Sequence, residues 1–213
     1  MGVLKSALLA GAKGSLQNII IYEANGQTRF RAKTGQYKDR CSPEQVAQRN
    51  KLKYAGALYH NLDLPFLLTW REAVKGTTLS GYNLFIKRNI HRFTPEGEIS
   101  DLNAIELCCG PLEIAREVRV TRSEEGRIRV EWDNEYESGI SPFDLLQVTV
   151  YTPLKKKKPV IWQLKEVSAR RGDGRCDFQL PGEMVRPVHI FGYFKKEYTT
   201  VCSPCFYLGS WEV

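Results

Sequence analysis

Cysteine is the residue type in this chain best suited to chemistry. There are six, four of them in two close sets, Cys108-Cys109 and Cys202-Ser203-Pro204-Cys205. Four thiolates can hold zinc tetrahedrally, and any two can close a disulfide. Zinc meets an obstacle in the spacing: adjacent cysteines within a strand point to opposite faces, so a four-sulfur site built on Cys108 and Cys109 needs a bulge. Buried free thiols are the preferred reading, with zinc or a disulfide as the alternatives. The apolar run Ala7 to Ala12, closed by Lys5 and Lys13, is short for the core of a secretory signal. That points to a reducing, cytoplasmic setting.

Other catalytic constellations fail on type or spacing. The three histidines, His60, His91 and His189, stand at no metal-ligand spacing, and neither a Gly-rich phosphate loop nor a Gly-x-Ser-x-Gly elbow occurs. No carboxylate pair can be assigned acid and base roles. The expectation is a non-enzyme with no cofactor and no small-molecule substrate. Arg171-Gly172-Asp173 spells an integrin-binding tripeptide, but Gly172-Asp173-Gly174 is also what a tight turn demands, and turn chemistry is the reading adopted.

Charge offers the sharpest positive signal. Lys plus Arg number 31 against 24 Asp plus Glu, a net of +7. The excess is local: residues 1–98 carry 15 basic and 7 acidic side chains, and residues 99–213 carry 16 and 17. A candidate basic surface comprises Arg29, Arg31, Arg40, Arg49, Lys53, Lys87, Arg88 and Arg92, with Lys33, Lys38 and Lys51 nearby in sequence. Such a surface attracts phosphates. No nucleic-acid motif accompanies it, and a solvated helix face is the plainer explanation. The run Lys155 to Lys158 is read as keeping a hairpin loop soluble.

The elements that must position these residues change character along the chain. Asn18 to Glu23 and Gln27 to Ala32 flank Asn25-Gly26, the pair suited to a two-residue hairpin turn. A lone hairpin is marginal in water, so it must pack on something or pair with another chain's edge. The arm before it, with Gly2, Gly11 and Gly14, reads as flexible unless a partner orders it. Asn18, Ile20, Tyr22, Arg29 and Phe30 are accordingly the candidate assembly edge.

Ser42-Pro43-Glu44-Gln45 is a helix start, with a capping Ser, a Pro in the first turn and a Gln completing a capping box. That helix runs to about His60, with Val46, Asn50, Tyr54, Ala57 and Leu58 near one face. A second covers about Pro65 to Val74 and a third, capped by Ser80, runs to about Phe93. Trp70 anchors the helices to one another or pins them to the strand-rich half of the chain.

Beyond Pro95-Glu96-Gly97 the period becomes alternating. Strands are expected at Ala104 to Leu107, Glu117 to Arg122, Arg127 to Trp132, Leu145 to Tyr151, Val160 to Lys165, Arg175 to Leu180, Val188 to Lys195 and Val201 to Leu208. Trp132, Trp162, Tyr151, Phe191 and Tyr193 are expected core residues. Such a series of short strands suggests an immunoglobulin-like or fibronectin-type sandwich. The fold class is therefore α+β: arm, β-hairpin and three helices in residues 1–98, then an antiparallel β-sandwich in 99–213.

Three segments resemble a family of unknown function found mainly in Bacteroidota. They are Gly14-Ser15-Leu16-Gln17-Asn18-Ile19-Ile20-Ile21-Tyr22 followed by Asn25-Gly26, then Cys41-Ser42-Pro43-Glu44-Gln45-Val46-Ala47-Gln48-Arg49, and Ser80-Gly81-Tyr82-Asn83-Leu84-Phe85 with Asn89. The family's sandwich ends in Tyr-Leu-Gly, here Tyr207-Leu208-Gly209. A Gly usual in that family is Gln17 here, which implies a different bend in the arm, and its Arg-Thr is Cys41-Ser42, where Ser still caps. The Pro-x-Gln-x-x-Gln-Arg box is also similar to boxes in small prophage proteins. The family carries no established activity; the arm, hairpin edge and sandwich are read as those of a non-catalytic structural or interaction protein that assembles through its arm and hairpin with itself or a protein partner, and the prophage-like box adds a virion or mobile-element setting, with location in the virion if phage-encoded. The alternative is a cytoplasmic nucleic-acid-associated protein using the basic half. No membrane span is expected, because no apolar run is long enough.

Overall fold

The computed structural model describes residues 2–3, 11–24, 26–35, 39–122, 126–133, 140–153, 159–181 and 187–211. Asn25, Lys38 and the lysine run 155–158 lie outside them. The chain forms two compact units, Met1–Pro43 and Glu44–Val213.

The first unit is an antiparallel sheet of four strands: β1 (Gly2–Val3), β2 (Gly14–Leu16), β3 (Ile19–Ala24) and β4 (Gln27–Ala32), in the order β1-β4-β3-β2. The expected hairpin is present, with Ala24 opposite Gln27 and Gly26 at φ +69°, the left-handed conformation its turn needs. The described part of the arm supplies both outer strands.

The second unit begins with three helices, α1 (Pro43–His60, whose first residue lies at the boundary), α2 (Leu64–Glu72) and α3 (Gly81–Asn89). Ser80 caps α3 by accepting the Asn83 N–H at 3.1 Å. The third helix ends earlier than expected, and Ile90–Arg92 continue it as one 3₁₀ turn. On α1 the buried face is Ala55, Leu58 and Tyr59, while Val46 stays exposed, so the apolar stripe begins later than the sequence pattern suggested.

Among the described residues seven strands come after the helices: β5 (Arg116–Arg122), β6 (Arg127–Asp133), β7 (Leu145–Thr152), β8 (Val160–Leu164), β9 (Arg175–Gln179), β10 (Val188–Lys195) and β11 (Phe206–Trp211). They form two antiparallel sheets, β5-β6-β9 and β11-β10-β7-β8. The fourth of these strands, β8, pairs with β7 rather than joining the three-stranded sheet. The protein is thus α+β with a sandwich-like carboxy-terminal part.

Strand β6 alternates Ile128, Val130 and Trp132 inward with Arg127, Arg129, Glu131 and Asp133 outward, as a strand covered on one face must. β7 and β10 are buried along nearly their whole length because both of their faces are covered. Leu146, Val148, Ile190 and Phe194 meet Ile128, Val130 and Phe178 between the sheets. Tyr151, Phe191 and Tyr193, on the other face, share a second core with Leu58, Phe66, Trp70 and Phe85 of the helices. Trp162 is only half-buried, on the edge strand β8.

That shared core moves the division of the chain. A boundary near residue 98 would cut through a single apolar interior, and the compact units part at Pro43 instead. Trp70 explains why: fully buried, it lies edge-on to Phe85 at 5.2 Å and donates its indole N–H to the Leu107 carbonyl at 2.9 Å.

The expected strand Ala104 to Leu107 does not form, because its backbone groups are claimed by side chains. Asn89 Oδ1 accepts the Glu106 N–H at 2.8 Å and Asn89 Nδ2 donates to the Glu106 carbonyl at 3.0 Å. Leu107 N–H donates to Cys205 Sγ, and Cys109 N–H to Thr69 Oγ1. The strand expected from Val201 starts only at Phe206, since Ser203 folds back on β10, accepting the Phe194 N–H at its hydroxyl and donating its own N–H to the Phe194 carbonyl.

Candidate interaction surfaces

The cysteine sets do converge. Cys108 packs against both Cys202 and Cys205, and all three are buried. Their sulfurs nevertheless work as core hydrogen-bonding groups: Cys108 donates to the Ser203 carbonyl at 3.3 Å and Cys205 to the Ile105 carbonyl at 3.2 Å. All six cysteines are free thiols. Among the described residues no group of three or more His, Cys, Asp or Glu could hold a metal. Burial pushes the Cys108 and Cys109 thiols up and Cys176 up to about 11, holding them as neutral thiols rather than nucleophilic thiolates. Cys205 moves the other way, because of its hydrogen-bonding contact with the Cys108 side chain and the Leu107 N–H that donates to its sulfur.

The Arg171–Asp173 tripeptide is a 3₁₀ turn closed by Gly174 at φ +68°, as turn chemistry required. It displays no arginine. Arg171 is buried, 3.5 Å from the buried Asp144 carboxylate, with its guanidinium 4.0 Å from the Phe194 ring centroid and donating to the Glu113 carbonyl at 2.7 Å.

The candidate basic surface is divided. Arg29, Arg31 and Arg40 belong to the first unit, and Arg49, Lys53, Lys87, Arg88 and Arg92 to the second. Arg88 donates to Glu106 at 2.8 Å and to Cys109 Sγ at 3.1 Å, and lies 5.8 Å from the Trp70 ring. The Glu106 hydrogen bond holds Arg88 charged above its usual range. Arg92 lies 4.0 Å from Asp101. Arg49, Lys53 and Lys87 are exposed on α1 and α3.

The candidate assembly edge is also revised. Ile20, Tyr22, Arg29 and Phe30 lie on β3 and β4, the two inner strands, and Asn18 lies in the turn before β3 with its carbonyl accepting the Lys33 N–H. Gln17 in that turn takes φ +49°, so the bend stands in a conformation glycine adopts more easily. The free edges are β1 and β2, because the arm folds back along the hairpin. Sequence spacing alone could not show this pairing, since strands so short leave almost no periodic signal.

What the sheet does present is two contrasting faces. Directly paired residues share a face. Leu16 pairs with Ile19, Ile19 with Ala32, and Ile21 with Phe30, which makes one face apolar except at its turn end, where Glu23 pairs with Thr28. The Phe30 ring lies over Gly2 and fills the space that a Cβ there would need. Tyr22 pairs with Arg29 and Ile20 with Arg31, so the opposite face carries both arginines. Leu16 is 68% exposed, and Ile19 and Phe30 are exposed as well. Thr28, which accepts the Gly11 N–H at 3.2 Å, is the single buried residue described in this unit. Lys13 and Glu23 form an ion pair at 2.9 Å across its surface.

No family model, curated protein or solved structure matches this chain. Its class rests on the fold: an α+β chain with a sandwich-like pair of antiparallel sheets and three helices in one unit, and a four-stranded sheet in the other.

Proposed function

We propose that this is a non-catalytic assembly protein that self-associates through the apolar face of its amino-terminal sheet. One observation carries the reading: the described residues of Met1–Pro43 bury no apolar side chain, while Leu16, Ile19 and Phe30 are exposed on one face of a formed sheet. A sheet without a core is marginal in water and gains stability by covering that face. A phage or mobile-element setting for this assembly rests on the Pro43-x-Gln45-x-x-Gln48-Arg49 box alone.

A second reading has its own observation. Arg29, Arg31 and Tyr22 on the opposite face combine charge with an aromatic ring, which suits a nucleic-acid backbone. Salt separates the two. Residues 1–43 carry seven basic and two acidic side chains, so copies repel at low ionic strength and self-association strengthens as salt rises. Nucleic-acid binding weakens over the same range. The test is light scattering coupled to size-exclusion chromatography at low and high salt, with and without DNA. The expected result is a mass that rises with protein concentration and salt and returns to the monomer in Ile19→Asp/Phe30→Asp. A monomer at every salt concentration, or an oligomer unaffected by those substitutions, sinks the assembly reading.

A further inference from the structure

The thiol cluster is a part of the core to which assembly through the amino-terminal sheet gives no role. Two irregular segments run past each other there in opposite directions. Cys205 Sγ accepts the Leu107 N–H at 3.1 Å and donates to the Ile105 carbonyl at 3.2 Å. Cys108 Sγ donates to the Ser203 carbonyl at 3.3 Å, and the Cys202 carbonyl accepts the Leu112 N–H at 3.1 Å. Gly110 lies against Cys202, in space that a Cβ would need. These bonds hold Cys108 between Cys202 and Cys205, in hydrogen-bonding contact with both.

The sulfurs differ in what oxidation requires. Reactivity follows thiolate character and access, and a reversible site also has a second thiol beside it to resolve the first product. Cys205 is 7% exposed, against 0% for Cys108 and 1% for Cys202. Contact with the Cys108 side chain and the Leu107 N–H lowers the Cys205 pKa in spite of burial, whereas burial raises that of Cys108. Of this pair Cys205 ionises first, and Cys108 is the neutral thiol next to it. The other cysteines are placed differently: Cys41 belongs to the first unit, Cys176 lies in the core between the sheets, and Cys109 Sγ accepts from Arg88.

We propose that Cys205 is a site of oxidation by hydroperoxides and that Cys108 resolves it, closing a reversible disulfide between the segment that leaves the helices and the residue that precedes β11. The Cys205 thiolate attacks the peroxide; the O–O bond breaks, giving a Cys205 sulfenic acid and a hydroxide or alkoxide that takes up a proton. The Cys108 sulfur then attacks the sulfenic sulfur, the S–O bond breaks, and the Cys108 proton leaves with the hydroxyl as water. Two thiols are oxidised and one hydroperoxide is reduced. The S–H donations to the Ile105 and Ser203 carbonyls are given up. In return, a covalent tie joins β11 to the segment that Trp70 and Asn89 already anchor to the helices. None of this depends on the amino-terminal sheet, so it stands or falls apart from the assembly reading.

The test uses the full chain carrying Cys41→Ser, which removes the exposed thiol and with it cross-links between chains. Hydrogen peroxide near neutral pH should give a chain lighter by two hydrogen atoms, with peptide mapping placing the bond between Cys108 and Cys205 and dithiothreitol removing it. The oxidised chain should melt roughly 5–10 °C higher, because the bond closes a long loop. Cys108→Ala should stop at a sulfenic acid on Cys205 that dimedone traps, while Cys202→Ala should still close the bond. Mapping on the parent chain decides the matter even where Cys108→Ala does not fold. A bond to Cys202, no bond at all, closure only under conditions that also modify Cys176, or an unchanged melting temperature overturns the proposal.

Discussion

Replacing Arg171 by Met keeps most of the side chain's volume but removes its charge and its hydrogen-bond donors, leaving Asp144 buried without its cation. The two side chains are 5% and 2% exposed, and the guanidinium also donates to the Glu113 carbonyl at 2.7 Å. Breaking one partner from such a buried pair costs about 3–5 kcal/mol, a large part of a domain's roughly 5–15 kcal/mol. The pH dependence arises from Asp144. Burial raises its carboxyl above the usual range, and Arg171 works against that rise. Without Arg171 the carboxyl moves higher still. A group whose folded pKa is raised supports the folded state fully below its unfolded pKa and loses that support as pH rises through the folded value. The penalty of Arg171→Met should therefore be largest at neutral pH and shrink on acidification. Urea unfolding at pH 7.5 and 4.5 measures it, and Arg171→Met/Asp144→Asn, which leaves no orphan charge, should recover part of the loss. A loss below about 1 kcal/mol at pH 7.5, equal losses at both pH values, or no recovery in the double variant refutes the reasoning.

Two further outcomes check other joints of the fold. Asn89→Ala removes the hydrogen bonds that hold Glu106 N–H and C=O and strands both in the interior. It should cost about 2–4 kcal/mol and lower the melting temperature by roughly 5–15 °C, and an unchanged melting curve would show that water replaces the amide. Burial holds the His189 imidazole below its usual pKa, with Nδ1 3.0 Å from the Tyr207 hydroxyl and the ring stacked on Tyr151. A lowered histidine pKa favours the neutral form, so its contribution is complete above about pH 6.5 and is lost as pH falls below it. Melting temperatures between pH 8 and 5.5 should fall more steeply for the wild type than for His189→Phe, and parallel curves would contradict that sign.

Local signals placed much of this architecture. Ser80 reads as a cap because its hydroxyl satisfies a helix N–H wherever such a helix starts, and it does so here. Asn25-Gly26 marks a hairpin because few residues tolerate its turn, and β6 reads as a half-buried strand because its side chains alternate. Of the interaction surfaces, the sequence marks the hairpin but not which of its faces is apolar, since that depends on how β2 and β1 pair with it.

The remaining decisions belong to long-range contacts. Residues 104–107 have a strand's composition and become an irregular segment, because Asn89, Trp70 and Cys205 take the hydrogen bonds that a neighbouring strand would have taken. Arg171 reads as a surface residue of a turn and is buried by Asp144 and Phe194. The helices look like a separate module until Trp70, Phe66 and Tyr193 join one core. Caps, turns and alternation are set by neighbours a few residues apart and can be read along the chain. Which backbone groups and charges are covered is set by partners far away in sequence, and only the folded chain supplies them.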